Sequence, residues 1–175
     1  MAAPRIVSVI GRKDAGKTTL AVALASEFIR KGRRVMTIKQ STQPVEVDRA
    51  GSDSYIHFHE GKAERTLLAA PGMRVLFERH TDEDDPIALT RRYFDGADIV
   101  LVEGFREAPL PKIEVFRRTG KGAPLFEATL PDASDWIAIV TDDDHLEASC
   151  PVLRFRDTMW LQLLANMAWE KARPL

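Results

Sequence analysis

Cysteine is almost missing from this chain: Cys150 is the only one in 175 residues. That excludes an internal disulfide framework and suits a reducing compartment. Cys150 precedes Pro151 in an expected loop, and a bystander role is preferred to a nucleophilic one. Net charge is nearly absent as well. The 25 Lys and Arg are balanced by 26 Asp and Glu, for a net −1. Neither nucleic acid nor an anionic membrane surface is therefore expected as a main partner. No apolar run is long enough to cross a bilayer. The opening Met1-Ala2-Ala3-Pro4-Arg5 has no signal-peptide core, so a cytoplasmic location is expected. His57, His59, His80 and His145 form no metal-like group apart from the His57/His59 pair, and that spacing points two helical side chains to different faces. Repeats, low-complexity tracts and long linkers are lacking too. What remains is 45% hydrophobic and 29% charged, the composition of one globular domain over residues 1–175 with a full core.

Within this composition stands one complete phosphate loop, Gly11-Arg12-Lys13-Asp14-Ala15-Gly16-Lys17-Thr18. The apolar β-prone run Ile6–Ile10 precedes it, and a helical stretch follows. A polyphosphate needs that order. Glycines let backbone N–H groups crowd around the oxygens, and the helix N-terminus adds partial positive charge. Lys17 can reach the β- and γ-phosphates, and the Thr18 hydroxyl can ligate Mg²⁺. The expected nucleotide-binding residues are Gly11, Arg12, Lys13, Asp14, Ala15, Gly16, Lys17, Thr18 and Thr19.

Strands and helices alternate along the chain. Strands are expected at Arg5–Ile10, Arg34–Lys39, Asp98–Glu103, Lys112–Arg117, Trp136–Thr141 and Val152–Phe155. Helices are expected at Lys17–Lys31, with Leu20, Leu24 and Phe28 on one face, and around Asp53–Glu60. Two more are expected at Asp85–Asp95, with Asp85 as N-cap and Pro86 at the first helical position, and at Asp157–Lys171, with Trp160, Leu163, Leu164 and Met167 on one face. Glu64–Ala69 and Met73–Glu78, joined by Ala70-Pro71-Gly72, form an antiparallel hairpin. The fold class is α/β: a P-loop NTPase three-layer sandwich with a mainly parallel sheet and an attached antiparallel hairpin.

A phosphate loop requires a carboxylate at the end of another buried strand, to hold Mg²⁺ or to position water. Glu103 ends the strand Ile99–Val102 and precedes Gly104, which puts it at the carboxyl edge where ligands of open α/β sheets gather. Glu103 and Lys17 are the candidate catalytic residues. Thr18, Asp48 and Glu103 are the candidate metal ligands. For Asp48 and Asp53 a helix-capping role stands on equal terms with a site role. Asp142-Asp143-Asp144 could read guanine N1–H and its 2-amino group, but a full Asn-Lys-x-Asp element is lacking and a solvated acidic loop is preferred. Lys39 ends its strand at the same edge and is either a phosphate contact or a surface Lys.

The series Gly11–Leu20, Thr37-Ile38-Lys39, Asp48-x-x-Gly51-x-Asp53-Ser54, Val100-Leu101-Val102-Glu103-Gly104-Phe105-Arg106 and Pro111-Lys112-Ile113-Glu114-Val115 resembles the molybdopterin-guanine dinucleotide biosynthesis adaptor family, MobB. The last two elements are the most specific. The resemblance implies GTP as ligand with Mg²⁺, weak hydrolysis and a homodimer. It also implies a MobA-type guanylyltransferase as partner and a role close to molybdopterin. Two departures stand out. Gln40-Ser41-Thr42-Gln43-Pro44 replaces a histidine-rich stretch, and Gly51-Ser52-Asp53-Ser54 lacks the lysine of Gly-Lys-Asp-Ser. Arg12 and Lys13 are expected to restore some of that positive charge.

A small-molecule P-loop kinase is the alternative. Its arginine lid would have to come from Thr90-Arg91-Arg92 or Arg117-Arg118. A metal-insertion GTPase is a third reading, but its histidine or cysteine cluster is missing. The stiff, mixed segment Phe105–Val115 is a candidate interface built on Leu110 and Lys112, with an ordinary packed loop and edge strand nearly as well supported.

Overall fold

The computed structural model describes residues 3–80, 84–118 and 122–175; Met1 and Ala2 lie outside them. The chain forms two compact units, residues 1–40 with 84–175, and residues 41–83.

The first unit holds a seven-stranded sheet. Its parallel path comprises β1 (Arg5–Gly11), β2 (Val35–Lys39), β5 (Ile99–Glu103), β6 (Lys112–Phe116), β7 (Trp136–Thr141) and β8 (Val152–Arg154), in the order β2-β5-β1-β6-β7-β8. The strand β5 is an unbroken aliphatic run up to Glu103 because both of its faces are covered. Val7 and Val9 point to one face, where they meet Leu20, Leu24 and Phe28 of α1 (Lys17–Arg30) and Leu164, Ala165 and Ala168 of α4 (Trp160–Lys171). Ile6, Val100 and Val102 point to the other, under Ile87, Leu89 and Phe94 on and just after α3 (Pro86–Tyr93). Those layers make the expected sandwich.

The local signals act as the residue chemistry requires. Asp85 caps α3 by accepting N–H bonds from Ile87 and Ala88. Gly32, at φ +76, turns the chain after α1, and the Arg33 N–H returns to the Phe28 carbonyl at 3.0 Å. On α4 the buried stripe runs through Leu164, Ala165 and Ala168, whereas Leu163 is half exposed. The expected face Trp160–Leu163–Leu164–Met167 is thus rotated, because two small alanines let the helix lie close to the sheet on their side.

The ninth strand has no signal in the sequence. Arg173–Pro174 (β9) pairs antiparallel with Arg5 and Ile6. On that side of β1, β6 begins to pair only at Ser8, which leaves Arg5 and Ile6 open to the returning C-terminus.

In the second unit, β3 (Arg65–Ala70) and β4 (Met73–Glu78) pair antiparallel as a two-stranded sheet of their own, with Pro71-Gly72 at the tip. Before them comes α2 (Asp53–Tyr55), which continues as one π-helical turn, Ile56–Glu60. Among the described residues no helix is long and apolar enough to cross a membrane.

Candidate functional site

The phosphate loop lies between β1 and α1, at the carboxyl edge of the sheet. Gly11 has φ +151, and a methyl group on it would stand 2.5 Å from the Val115 carbonyl oxygen of β6. The glycine is therefore required by close backbone approach as well as by dihedral angle. Gly11→Ala should cost about 2–3 kcal/mol of stability, read as a lower urea midpoint at unchanged m-value. A midpoint equal to wild type would remove the steric argument.

Gly16 is the N-cap residue of α1 at φ +100. No side chain caps the helix and no acidic residue occupies its first turn. Its N–H groups are thus left for an anion. Lys17 Nζ donates to the Arg12 carbonyl at 2.8 Å, strapped across the loop. Lys13 and Asp14 are exposed and Ala15 is buried, with Asp14 at φ +62. Thr18 and Thr19 are exposed at the helix start. The Arg12 Nε donates at 2.8 Å to the Ala123 carbonyl, so this guanidinium braces a neighbouring loop.

Glu103 comes to the same place from β5. Register pairs it with Val9 on one side and Lys39 on the other. Its side chain is only 10% exposed, against 62% for Lys39. Thr18 Oγ1 donates to Glu103 Oε1 at 2.7 Å, and Lys39 Nζ reaches the same oxygen at 2.5 Å. Burial raises the Glu103 pKa, but the Lys39 and Thr18 hydrogen bonds and the charges of Lys39 and Lys17 outweigh it, so the carboxyl sits below its ordinary value. Thr18 Oγ1 and Glu103 Oε1 are both hard oxygen donors, a pair that fits Mg²⁺. The turn after Glu103 is tightly held. Phe105 is left-handed at φ +52. Its N–H is bound by Gln40 Oε1 at 2.7 Å, and the Gln40 N–H is bound by the Glu103 carbonyl at 2.9 Å. Gln40, the first residue of the stretch without histidine, thus acts as a clasp.

Asp48 lies in the second unit. Its Oδ1 accepts the Ser52 hydroxyl at 2.9 Å and the Arg49 N–H at 2.8 Å. The Ser54 hydroxyl, against the opposing effect of burial and with help from Ser52, Arg49 and the His59 charge, holds its pKa below the ordinary value. Ser52 is the N-cap of α2, and Asp53 is the first helical residue.

The arginines proposed for a kinase lid are far apart in role. Arg91 and Arg92 end α3, which leads through Gly96 into the amino end of β5, the edge opposite Glu103. Arg117 leaves β6 beside the loop, where a methyl group on Gly16 would lie 3.9 Å from its Nη2. It stacks over Phe155 at 3.8 Å and pairs with Asp142 at 3.5 Å. The sequence showed only a dibasic pair there; its place beside Gly16 follows from β6 and β1 being neighbours. Asp142 also takes the Arg118 N–H at 2.8 Å, Asp143 takes the His145 N–H at 2.9 Å, and Asp144 pairs with Arg156 at 2.5 Å. Asp143 shapes its own loop, whereas Asp142 and Asp144 tie that loop to the chain after β6 and after β8.

Leu110 and Lys112 are not surface residues. Leu110 is fully buried, and the buried Lys112 ammonium pairs with Asp132 at 3.1 Å and Asp135 at 3.4 Å beside the Trp136 ring. The expected interface on them is replaced by packing within their own unit. Glu114 is buried too and accepts N–H bonds from Leu125, Phe126 and the Trp136 indole. Two of the charges that resembled an interface rim, Lys112 and Glu114, are internally satisfied core charges. At Cys150 burial pushes the thiol pKa up, against nucleophilic use.

Against known proteins, the MobB family model, described as molybdopterin guanine dinucleotide synthesis protein B, matches residues 6–142. The chain belongs to the MobB family. The molybdopterin-guanine dinucleotide biosynthesis adapter protein of Haemophilus influenzae is 30% identical over 146 residues, 81% of this chain and 76% of that protein. A Methanocaldococcus jannaschii relative is 33% identical over 117 residues, 65% of this chain. The chain spans about half the length of that archaeal relative, 47%. The crystal structure of Bacillus subtilis MobB superimposes with a TM-score of 0.68 at 22% identity, over 93% of this chain and 97% of that one. A MobB homologue from Bacillus stearothermophilus gives 0.62 at 23%, over 92% and 95%. These two structures bear out the α/β sandwich, the mainly parallel sheet and the hairpin expected of this MobB-family chain.

Proposed function

We propose that this chain is a GTP-binding adaptor of molybdopterin guanine dinucleotide synthesis, acting beside a MobA-type guanylyltransferase and close to molybdopterin, in the cytoplasm. The observation that carries the nucleotide part is the meeting of Thr18 and Glu103 at the uncapped N-terminus of α1. Backbone N–H groups of residues 13–19 cradle the phosphates, and Lys17 leaves the Arg12 carbonyl to bind them. Thr18 and Glu103 hold Mg²⁺, which neutralises developing phosphate charge when bound. Glu103, ionised at neutral pH, orients water. Guanine and the MobA-type partner come from the family relationship. Calorimetry with GTP and with ATP, each with and without Mg²⁺, tests the reading. Mg²⁺-dependent binding of GTP over ATP is expected, with turnover far below about 1 s⁻¹; turnover of 1–100 s⁻¹ with a phosphate acceptor would make it a kinase.

A homodimer belongs to the same reading. A two-stranded hairpin is marginal by itself, and this one leaves Leu67 and Leu76 exposed directly opposite each other on one of its faces. A second copy of the chain would cover that apolar face. Replacing Leu67 and Leu76 together by Lys should turn a dimer into a monomer by light scattering, with GTP affinity within about threefold of wild type. A wild-type monomer at all concentrations, or a dimer that survives the double change, would rule this surface out.

A further inference from the structure

We propose that Lys39 is a tethered cation that competes with divalent metal for the Glu103–Thr18 oxygen pair, so that it sets the metal concentration at which nucleotide binds. The inference rests on the metal–nucleotide reading above and deepens it. Three observations carry it. The Lys39 ammonium lies 2.5 Å from Glu103 Oε1 and 3.4 Å from Thr18 Oγ1, the two donors that would hold the metal. Register brings it there, since Lys39 and Glu103 are direct partners on adjacent parallel strands. Finally, the carboxylate is fixed and the cation is not: Glu103 is buried and doubly bonded, whereas the Lys39 side chain is mostly exposed.

An ion that uses both oxygens needs the space between them, and Mg²⁺ demands oxygens at about 2.0–2.1 Å in near-octahedral order. An ammonium on the same carboxylate oxygen denies that space and repels the incoming charge. The exposed Lys39 head can swing into solvent on its flexible stem, so exchange is possible, but the metal has to displace a bound cation. Strength on the lysine side is that of a half-exposed ion pair, which sets a modest handicap and not a block. The neighbouring Lys17 does not share the position, because its ammonium is bound to the Arg12 carbonyl.

The test uses the whole chain, a fluorescent GDP analogue, Mg²⁺ titration, and Mn²⁺ as a spin-active probe of the site. Lys39→Met keeps the stem and removes the charge; Lys39→Arg keeps the charge. In K39M the Mg²⁺ midpoint for nucleotide binding should fall about three- to tenfold, and Mn²⁺ should bind correspondingly tighter by electron paramagnetic resonance. K39R should stay near the wild-type midpoint, and melting curves confirm that both variants are folded. A K39M midpoint that is unchanged or raised overturns the competition. A K39M protein that loses tenfold or more in GDP affinity at saturating metal makes Lys39 a phosphate ligand, and also overturns it. Wild-type protein that binds no nucleotide at any metal concentration defeats the GTP reading itself, and the competition with it.

Discussion

Lys17→Ala is expected to lower GTP affinity roughly ten- to a hundredfold or more, with the fold retained. A charge-assisted hydrogen bond to phosphate contributes on the order of 1.5–3 kcal/mol, which corresponds to that range. The side chain is half-buried at the first residue of α1, and its ammonium now bonds the Arg12 carbonyl at 2.8 Å. Removing it takes one strap from the loop but leaves the glycine dihedrals, the Ala15 contact and the α1 core face untouched. Alanine is also a good helix former, so stability should change little. Calorimetry of the variant beside a urea unfolding curve separates the two effects. GTP affinity equal to wild type in a folded variant would end the assignment of this loop to phosphate.

Glu103→Gln should reduce GTP hydrolysis about tenfold or more while it weakens binding less. The amide keeps the shape at the end of β5 and can still accept the Thr18 hydroxyl. It loses the negative charge that Lys39 and Lys17 hold in place, and with it the metal affinity and the pull on water. Measured at saturating Mg²⁺, turnover should fall while the GTP dissociation constant moves by a smaller factor. Hydrolysis indistinguishable from wild type under those conditions would remove Glu103 from the chemistry. The background rate of this variant also shows how much catalysis comes from loop and helix N-terminus alone.

Much of the site was legible before any coordinates, for local reasons. Strand, glycine loop and helix are consecutive, so the cradle of residues 11–18 is a short-range object. The place of Glu103 was also legible, because an unbroken aliphatic run that ends in Glu-Gly points to a buried strand with its carboxylate at the edge, although the run did not separate a site carboxylate from a surface Glu at a strand end. Asp85, Pro86 and Gly32 announced their helix ends for the same kind of reason. The residues that were misread act at long range. Leu110 and Lys112 looked like an interface rim because Leu110 packs with Ile6, Val100 and Val102 of distant strands, and the partners of Lys112, Asp132 and Asp135, lie some twenty residues away and meet it only through the β6–β7 pairing. Arg117 looked like half of a dibasic pair until β6 was placed beside β1.

The sequence by itself determined the phosphate loop, the alternation of strands and helices, the covered aliphatic sheet and the carboxylate at its edge. Each follows from the chemistry of neighbours within one or two turns of chain. Only the tertiary structure decided which strands lie side by side, and with that which charges meet. It put Lys39 in register with Glu103, Arg117 beside Gly16, and Arg173 against Ile6. The physical reason is that strand order is set by packing of both sheet faces over the whole chain, while an ion pair needs only a few ångströms once that order exists. Periodicity can say that a lysine ends a strand. It takes the sheet to say which carboxylate that lysine touches.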